Sequence, residues 1–196
     1  ESLPSYGDKV RIVKQANSGP SAARNLGARA ARGEILSFLD SDDSWLPDKI
    51  ERQVEVLEKG GPDVPCCICN ASLDNEPGRA PTSFAAAGIP CDVEAGFILN
   101  PDRLLARRFL LFNQVVAIRR PVFEKIGGFN EDLWVLEEHE IALRLSIEGR
   151  WGFVSAPLVE KFESEGNLGG SARKDHIGHL AAVDKVLTLD LTDHPE

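Results

Sequence analysis

In the first half of the chain, short apolar runs alternate with segments that carry a helical apolar stripe. This pattern predicts strands separated by helices. Residues 10–13 and 35–39 form short apolar runs typical of strands. Between them, Gly19-Pro20 opens a helix with proline at its first position, where the missing N–H is not needed, and Gly33 ends it. The apolar stripe predicted for this helix consists of Ala23, Leu26, Gly27 and Ala30.

A second helix is predicted over residues 47–59, with Ile50, Val54 and Leu57 on its buried face and Gly60-Gly61-Pro62 at its end. The resulting order of strand, helix, strand and helix is the signature of a parallel sheet with right-handed crossovers. The first half therefore predicts an α/β fold.

The second half continues with elements of both kinds. Residues 74–96 are polar and rich in loop-forming residues, and we expect an insertion there. Pro121 opens a short helix that stops at Gly127-Gly128. The remaining predicted strands cover residues 64–71, 112–118 and 151–154, and the remaining predicted helices cover residues 137–148 and 174–189.

Composition narrows the classes of function. The chain has 196 residues, 42% of them hydrophobic and 27% charged, which fits one globular domain with at most a small appendage. No apolar run approaches the roughly 20 residues that span a bilayer. A net charge of −9 without a basic stripe argues against a nucleic-acid partner.

Four cysteines raise the question of a zinc site. Cys66, Cys67 and Cys69 lie together and Cys91 follows, but this spacing lacks the paired C-x₂₋₄-C arrangement of zinc sites. Small thiols buried in a core strand are the better interpretation. Reduced thiols are typical of a cytosolic protein.

The end of the strand at residues 35–39 carries the densest chemistry. It runs into Asp40, Asp42 and Asp43, and acids at the carboxyl edge of an α/β sheet lie where such folds bind ligands. Mg²⁺ and Mn²⁺ prefer oxygen ligands, and Mg²⁺ commonly combines one or two carboxylates with water and substrate phosphates. The alternative is that Asp43 or Ser44 only caps the next helix.

A second acidic group opens the helix predicted at residues 137–148. Glu138 shares a helical face with three apolar residues, Ile141, Ala142 and Leu145. A carboxylate on an inward face suggests a functional role. Acids also favour the first turn of a helix through its dipole, which would explain Glu137 and Glu138 without chemistry. Glu140 is expected to form an ordinary surface ion pair with Arg144.

These segments together resemble a known family. The block at residues 17–34, the acidic strand that follows it and residues 45–50 are similar to the centre of the inverting family-2 glycosyltransferases. Residues 119–131 resemble the segment before that family's catalytic helix, and residues 137–145 stand where its acidic motif lies. The resemblance spans residues 9 to about 168.

The resemblance implies an α/β, Rossmann-like nucleotide-diphospho-sugar transferase fold, with a mostly parallel central sheet flanked by helices. Residues 1–196 would form a single domain in which residues 169–196 are a C-terminal helical tail. The implied activity is inverting transfer of a sugar, from a UDP-sugar above other donors, to a hydroxyl of a glycan, a lipid-linked molecule or another acceptor. The implied setting is cell-wall or polysaccharide biosynthesis in the cytoplasm or at the inner face of a membrane.

The resemblance also implies roles for individual residues. Mg²⁺ or Mn²⁺ would be held by Asp40 and Asp42, with Glu165 standing where many relatives carry a late histidine. The nucleotide sugar would contact Arg24, Asn25, Asp40, Ser41 and Asp42. Glu138 would be the general base, with Glu137 next in line, and Asn113-Gln114 would line the acceptor pocket. Arg24 could also be a surface arginine, and His176 and His179 are expected to face solvent rather than a metal.

One departure from the family stands out. Its members normally begin with two βα units that carry the base-recognition acid, and these units are not in this sequence. We therefore expect an N-terminally incomplete fold, arising from a fragment, a decayed gene or a partner chain that supplies the missing half. A non-catalytic binding module is a second hypothesis. A sugar nucleotidyltransferase is a third, weakened because no glycine-rich phosphate loop with a nearby lysine is present.

Overall fold

The computed structural model describes residues 9–73, 81–106 and 113–161. These residues form one mixed sheet with helices packed against it. The elements in chain order are α1 (Gly19–Ala30), β1 (Ile35–Ser37), β2 (Ser44–Trp45), α2 (Lys49–Gly60), β3 (Cys66–Ser72), α3 (Ser83–Ala87), β4 (Ala95–Ile98), α4 (Pro101–Leu105), β5 (Val116–Arg119), α5 (Arg120–Lys125), α6 (Glu137–Ser146) and β6 (Trp151–Glu160).

The strand order is β1-β5-β3-β6-β2, with β4 pairing against β6. The α/β architecture is confirmed, but among the described strands only β3 and β6 pair in parallel. β1 and β3 do run in the same direction, as the strand–helix–strand pattern predicts, because each is antiparallel to β5. They are not neighbours, since β5 lies between them, and this insertion removes the expected majority of parallel pairings.

The core follows β3, the most buried strand. Cys66, Cys67, Ile68 and Cys69 have no exposed surface, so the prediction of buried thiols is confirmed for the three cysteines of this strand. All four cysteines are free, and Cys91 is exposed. Burial raises the pKa of Cys66, Cys67 and Cys69, which reaches about 11 for Cys69. These thiols are therefore neutral packing groups near neutral pH.

The buried faces of α1 and α2 differ from the predicted stripes. In α1 the buried residues are Ser21, Ala22, Asn25 and Ala28, whereas Ala23 and Gly27 are exposed. Polar side chains take these positions because the face packs on backbone groups of residues 129–133. In α2 the buried residues are Lys49, Gln53, Val56 and Leu57, and Ile50 is exposed. Lys49 and Gln53 can enter the core because they hydrogen-bond each other.

The strand predicted at residues 10–13 is wrong. This segment has no strand partner among the described residues, and Ile12 is 65% exposed. Its contact with α1 is a bond from the Arg11 guanidinium to the carbonyl of Ala30. An apolar run alone does not make a strand where no neighbouring strand completes its hydrogen bonds.

Other boundaries shift by a few residues. The expected insertion contains α3 and β4, α6 ends at Ser146, and β6 runs on to Glu160. The helix predicted at residues 174–189 lies outside the described residues. No helix in the part of the chain described here has the length and apolarity to cross a bilayer.

Candidate active site

The acidic segment after β1 forms a tight turn. The Asp43 N–H donates to the Asp40 carbonyl at 3.2 Å, Ser41 is exposed, and Asp42 is half-buried. Asp43 is buried, with one carboxylate oxygen 3.5 Å from the ammonium of Lys161. The helix-cap alternative is wrong for these residues, because α2 begins later, after Asp48 at its N-cap position.

Arg24 joins this turn to the start of α6. Its guanidinium donates to Asp40 at 2.8 Å and to Glu137 at 2.7 Å, and its side chain is 16% exposed. Burial alone would lower the pKa of Arg24, but the bonds and charges of Asp40 and Glu137 raise it overall. Arg24 is thus a fixed cation held between two acidic segments that lie far apart in sequence.

The turn at residues 113–115, before β5, closes the other side of the cluster. The Gln114 side-chain amide donates to Asp40 at 2.5 Å, and the Asn113 N–H donates to the Glu138 carboxylate at 3.4 Å. Both side chains are nearly fully buried. The amide oxygens of Asn113 and Gln114 have no donor among the described residues. Such oxygens normally have a partner, so this turn offers two acceptors to a ligand or to water.

The first turn of α6 presents its acids in three environments. Glu137 is buried against Arg24, whereas Glu138 is half-buried at the rim of the cluster. Glu140 does pair with Arg144, at 2.6 Å, but the pair is buried rather than on the surface as predicted. The reason is that Arg144 also donates to the carbonyls of Ile126 and Gly128, which draws the pair inside.

Leu136, the residue before this helix, has a φ of 60°. This left-handed conformation is uncommon outside glycine and costs on the order of 1 kcal/mol for a branched side chain. The Leu136 carbonyl accepts from the N–H groups of His139 and Glu140, which fixes the direction in which α6 starts. Local backbone strain therefore lies directly before Glu137 and Glu138.

Asn25 holds α1 against the chain that leads to α6. Its amide donates to the Phe129 carbonyl at 2.8 Å and accepts from the Phe129 N–H at 2.9 Å. Gly128 has a φ of 70°, and a Cβ there would lie 2.7 Å from the Asn25 oxygen. Asn25 thus has a clear structural role, and its contact with a nucleotide sugar stays a prediction.

The carboxylates of this cluster are possible ligands for a divalent cation. Asp40 and Asp42 supply hard carboxylate oxygens, but both oxygens of Asp40 already accept from Arg24 and Gln114. No group of three metal-binding side chains occurs within the described ranges, and Glu165, His176 and His179 lie outside them. A divalent cation here would take few oxygens from the described residues, and water and substrate phosphates would have to complete its shell, as they commonly do around Mg²⁺.

Sequence reasoning placed Arg24, Asp40 and the acids of α6 in one site but missed two links. It gave Arg24 no role in joining Asp40 to Glu137, and it did not connect Gln114 to Asp40. A sequence signal for the second link exists, because polar residues directly before a fully apolar strand are exceptions that need partners. No residue spacing in the sequence indicates that Arg24 joins Asp40 to Glu137.

The chain was compared with known proteins. The model of the family described as glycosyl transferase family 2 matches residues 1–127. An uncharacterized glycosyltransferase of Haemophilus influenzae is 29% identical over 153 residues, covering 72% of this chain and 46% of that protein. The succinoglycan biosynthesis protein ExoO of Rhizobium meliloti is 26% identical, covering 90% of this chain and 52% of that protein. The chain thus spans about half the length of these two relatives.

Solved structures show the same fold at low sequence identity. Residues 1–349 of TarS from S. aureus, in complex with UDP-GlcNAc, match with a TM-score of 0.67 at 19% identity, covering 93% of this chain and 51% of that one. A mannosyltransferase from Pyrobaculum calidifontis, in complex with GDP-Man and Mn²⁺, matches with a TM-score of 0.53 at 16% identity, covering 86% and 44%. With a family model matching well over half of its residues, this chain belongs to glycosyl transferase family 2.

Proposed function

We propose that this chain carries the catalytic half of an inverting transferase, which moves a sugar from a nucleotide diphosphate to an acceptor hydroxyl. The observation that carries the proposal is the bridge formed by Arg24 between Asp40 and Glu137. The bridge brings two groups of acids into one cluster. The acids after β1 would hold the cation that binds a diphosphate, and the acids of α6 would accept a proton. The match to TarS in complex with UDP-GlcNAc supports a UDP-sugar as the donor.

Donor binding is assigned to the turn after β1 and to α1. Asp40, Ser41 and Asp42 follow β1, Arg24 reaches Asp40 from α1, and the contact of the neighbouring Asn25 with the donor is part of the proposal. Mg²⁺ or Mn²⁺, held by Asp42 and Asp40, would supply positive charge to the departing diphosphate. Mn²⁺ in the mannosyltransferase complex supports this choice of cation. The amide oxygens of Asn113 and Gln114 are acceptors suited to sugar hydroxyls.

Glu138 is the better general base of the two adjacent acids. Glu137 is bonded to the Arg24 guanidinium at 2.7 Å, so its carboxylate is engaged in the bridge that joins α6 to the acidic turn. Glu138 is half-buried at the rim of the cluster and accepts a long bond, 3.4 Å, from the Asn113 N–H. It would take the acceptor's hydroxyl proton as that oxygen bonds to the anomeric carbon. The diphosphate leaves from the opposite face, and the configuration inverts.

The wider setting belongs to the same proposal. The name of the succinoglycan biosynthesis protein ExoO supports a role in polysaccharide biosynthesis. A glycan or a lipid-linked molecule is the acceptor that we propose. We place the protein in the cytoplasm or at the inner face of a membrane, as one domain over residues 1–196. The competing function, a non-catalytic binding module, would tolerate the loss of Glu138.

The test uses Glu138→Gln, with Glu55→Gln on the exposed face of α2 as its matched control. Binding of UDP-GlcNAc is measured by calorimetry with and without Mn²⁺, and UDP release is measured with a panel of hydroxyl acceptors. We expect Glu138→Gln to retain metal-dependent donor binding and to release UDP about 100-fold more slowly, because a general base is lost.

Full turnover in Glu138→Gln would remove the base assignment and favour Glu137. Absence of donor binding in the wild-type chain, shown to be folded by circular dichroism, would favour the binding module. Donor binding that is equal with and without Mn²⁺ would remove the metal from the proposal.

A further inference from the structure

Lys49, the first residue of α2, is a buried cation that the proposed reaction does not use. Its side chain has no exposed surface. Its ammonium donates to the Gln53 side-chain oxygen at 2.8 Å and lies 4.1 Å from the centre of the Trp45 ring. No carboxylate forms an ion pair with it among the described residues. Lys49 therefore meets an amide oxygen and an aromatic face instead of an opposite charge.

Such a residue is not explained by stability. Removing an ammonium from water without a counter-charge is unfavourable, and burial lowers the pKa of Lys49 to about 8. A methionine of similar length would fill the same space without this penalty. Departures from the rules of burial are expected at functional sites, so Lys49 is a candidate for a role other than stability.

The two partners of Lys49 hold the turn at residues 113–115. The Gln53 amide donates to the carbonyls of Cys67, at 2.7 Å, and Val115, at 2.8 Å. The indole N–H of Trp45 donates to the Gln114 carbonyl at 3.0 Å. Because an ammonium can only donate, its bond to the Gln53 oxygen turns the Gln53 NH₂ group towards those carbonyls.

The far side of the same turn reaches the candidate active site. Gln114 donates to Asp40, and the Asn113 N–H donates to Glu138. We propose that Trp45, Lys49 and Gln53 are positioning residues that brace this turn and thereby set the spacing between Asp40 and Glu138. The brace rests on the proposed function for its catalytic consequence, whereas its effect on the turn itself does not.

The experiment compares Lys49→Met with Lys59→Met, an exposed lysine of the same helix. Hydrogen exchange of the amides at residues 113–118 reports the turn, and UDP release from UDP-GlcNAc with Mn²⁺ gives kcat and the donor KM. In Lys49→Met we expect an unchanged or higher Tm and exchange at least about tenfold faster. We also expect kcat to fall about tenfold or more with little change in KM, because the reacting groups lose alignment.

Trp45→Phe is the second variant, since it keeps an aromatic ring beside Lys49 and removes the indole N–H together with its five-membered ring. Faster exchange at residues 113–118 in this folded variant supports the brace even where Lys49→Met fails to fold. Unchanged exchange in Trp45→Phe together with wild-type exchange or kcat in Lys49→Met overturns it. If the wild-type chain shows no turnover, the proposed function fails, and hydrogen exchange alone decides the brace.

Discussion

Two basic side chains, on the consecutive helices α1 and α2, are buried in opposite electrostatic environments. Arg24 on α1 lies between two carboxylates, at 2.7 and 2.8 Å, and its pKa is raised. The ammonium of Lys49 on α2 contacts an amide oxygen and an indole ring, and the pKa of Lys49 is lowered to about 8. The pKa of a buried cation can therefore be raised or lowered, because the neighbouring groups decide the direction of the shift.

Arg24 is compensated, so its region should lose stability when the cation is removed. Lys49 is uncompensated, so the free energy of unfolding of the whole domain should rise when the cation is removed, while the turn at residues 113–115 loosens. The difference separates two uses of buried charge in one site: one joins acidic segments, and the other orients neutral groups.

The largest expected effect comes from Arg24→Met. This change leaves Asp40 and Glu137 close together without their shared cation, and the loss of one partner from a largely buried ion pair is strongly destabilising. Because Asp40 is 32% exposed, we expect a reduced penalty of about 2–3 kcal/mol, or roughly 5–10 °C in Tm. Thermal unfolding followed by circular dichroism measures it.

Arg29→Met is the matched control for that variant. Arg29 lies on the same helix, is 63% exposed, and has a longer contact of 3.8 Å to Glu131. Its replacement should change the free energy of unfolding by no more than about 0.5 kcal/mol. Equal effects of the two variants would show that the bridge does not hold α1 to α6.

A smaller effect of opposite sign is expected for Lys49→Met, and it should depend on pH. The pKa of Lys49 is about 8 in the fold and near 10.5 when exposed. Below pH 8 the folded state carries the full penalty of the buried ammonium, and between about pH 8 and 10.5 the unfolded state binds more protons. The stability of the wild type should therefore rise relative to Lys49→Met over this window, by roughly 2–3 kcal/mol.

Urea unfolding of both proteins at pH 7 and pH 10 measures that difference. The buried thiols act on both proteins alike: their raised pKa values mean that stability from Cys66, Cys67 and Cys69 is lost as the unfolded thiols ionise above about pH 9. The difference between the two proteins removes this common contribution. A difference that does not change with pH would show that Lys49 is not a destabilising cation.

The smallest effect is expected for Glu137→Gln. Glutamine keeps a hydrogen bond to Arg24 and removes one of the two negative charges, while Asp40 still pairs with the guanidinium. We expect a loss of about 0.5–1 kcal/mol in the free energy of unfolding, because one hydrogen bond and the second anion are retained. Thermal unfolding beside Glu131→Gln measures it, and a loss as large as that of Arg24→Met would assign the whole bridge to Glu137.

Candidate site residues are easier to select from the sequence than buried faces are. Acids after an apolar strand and acids at a helix start are local signals, so Asp40, Asp42 and Glu138 could be selected without a structure. The faces of α1 and α2 could not be read in the same way. Asn25 and Lys49 are buried because distant groups satisfy them, and periodicity assigns polar residues to the surface.

The sheet shows the same limit. The directions of β1 and β3 follow from local alternation of strands and helices, but their separation depends on β5, which comes about eighty residues after β1 in the chain. Nothing local in the run at residues 116–119 reveals that it enters the sheet between them. Pairings of this kind depend on the whole chain rather than on propensity.

The position of β5 also has a consequence for how the protein folds. β1 and β3 leave the ribosome long before β5, yet among the described strands β1 pairs only with β5, and β3 pairs only with β5 and the still later β6. Until residue 119 is available, both strands expose unpaired edges, and the loops that must close are long. Closure of the sheet centre is therefore a late step, and a nascent chain released before β5 would leave open to other chains the sides of β1 and β3 that β5 covers in the finished fold.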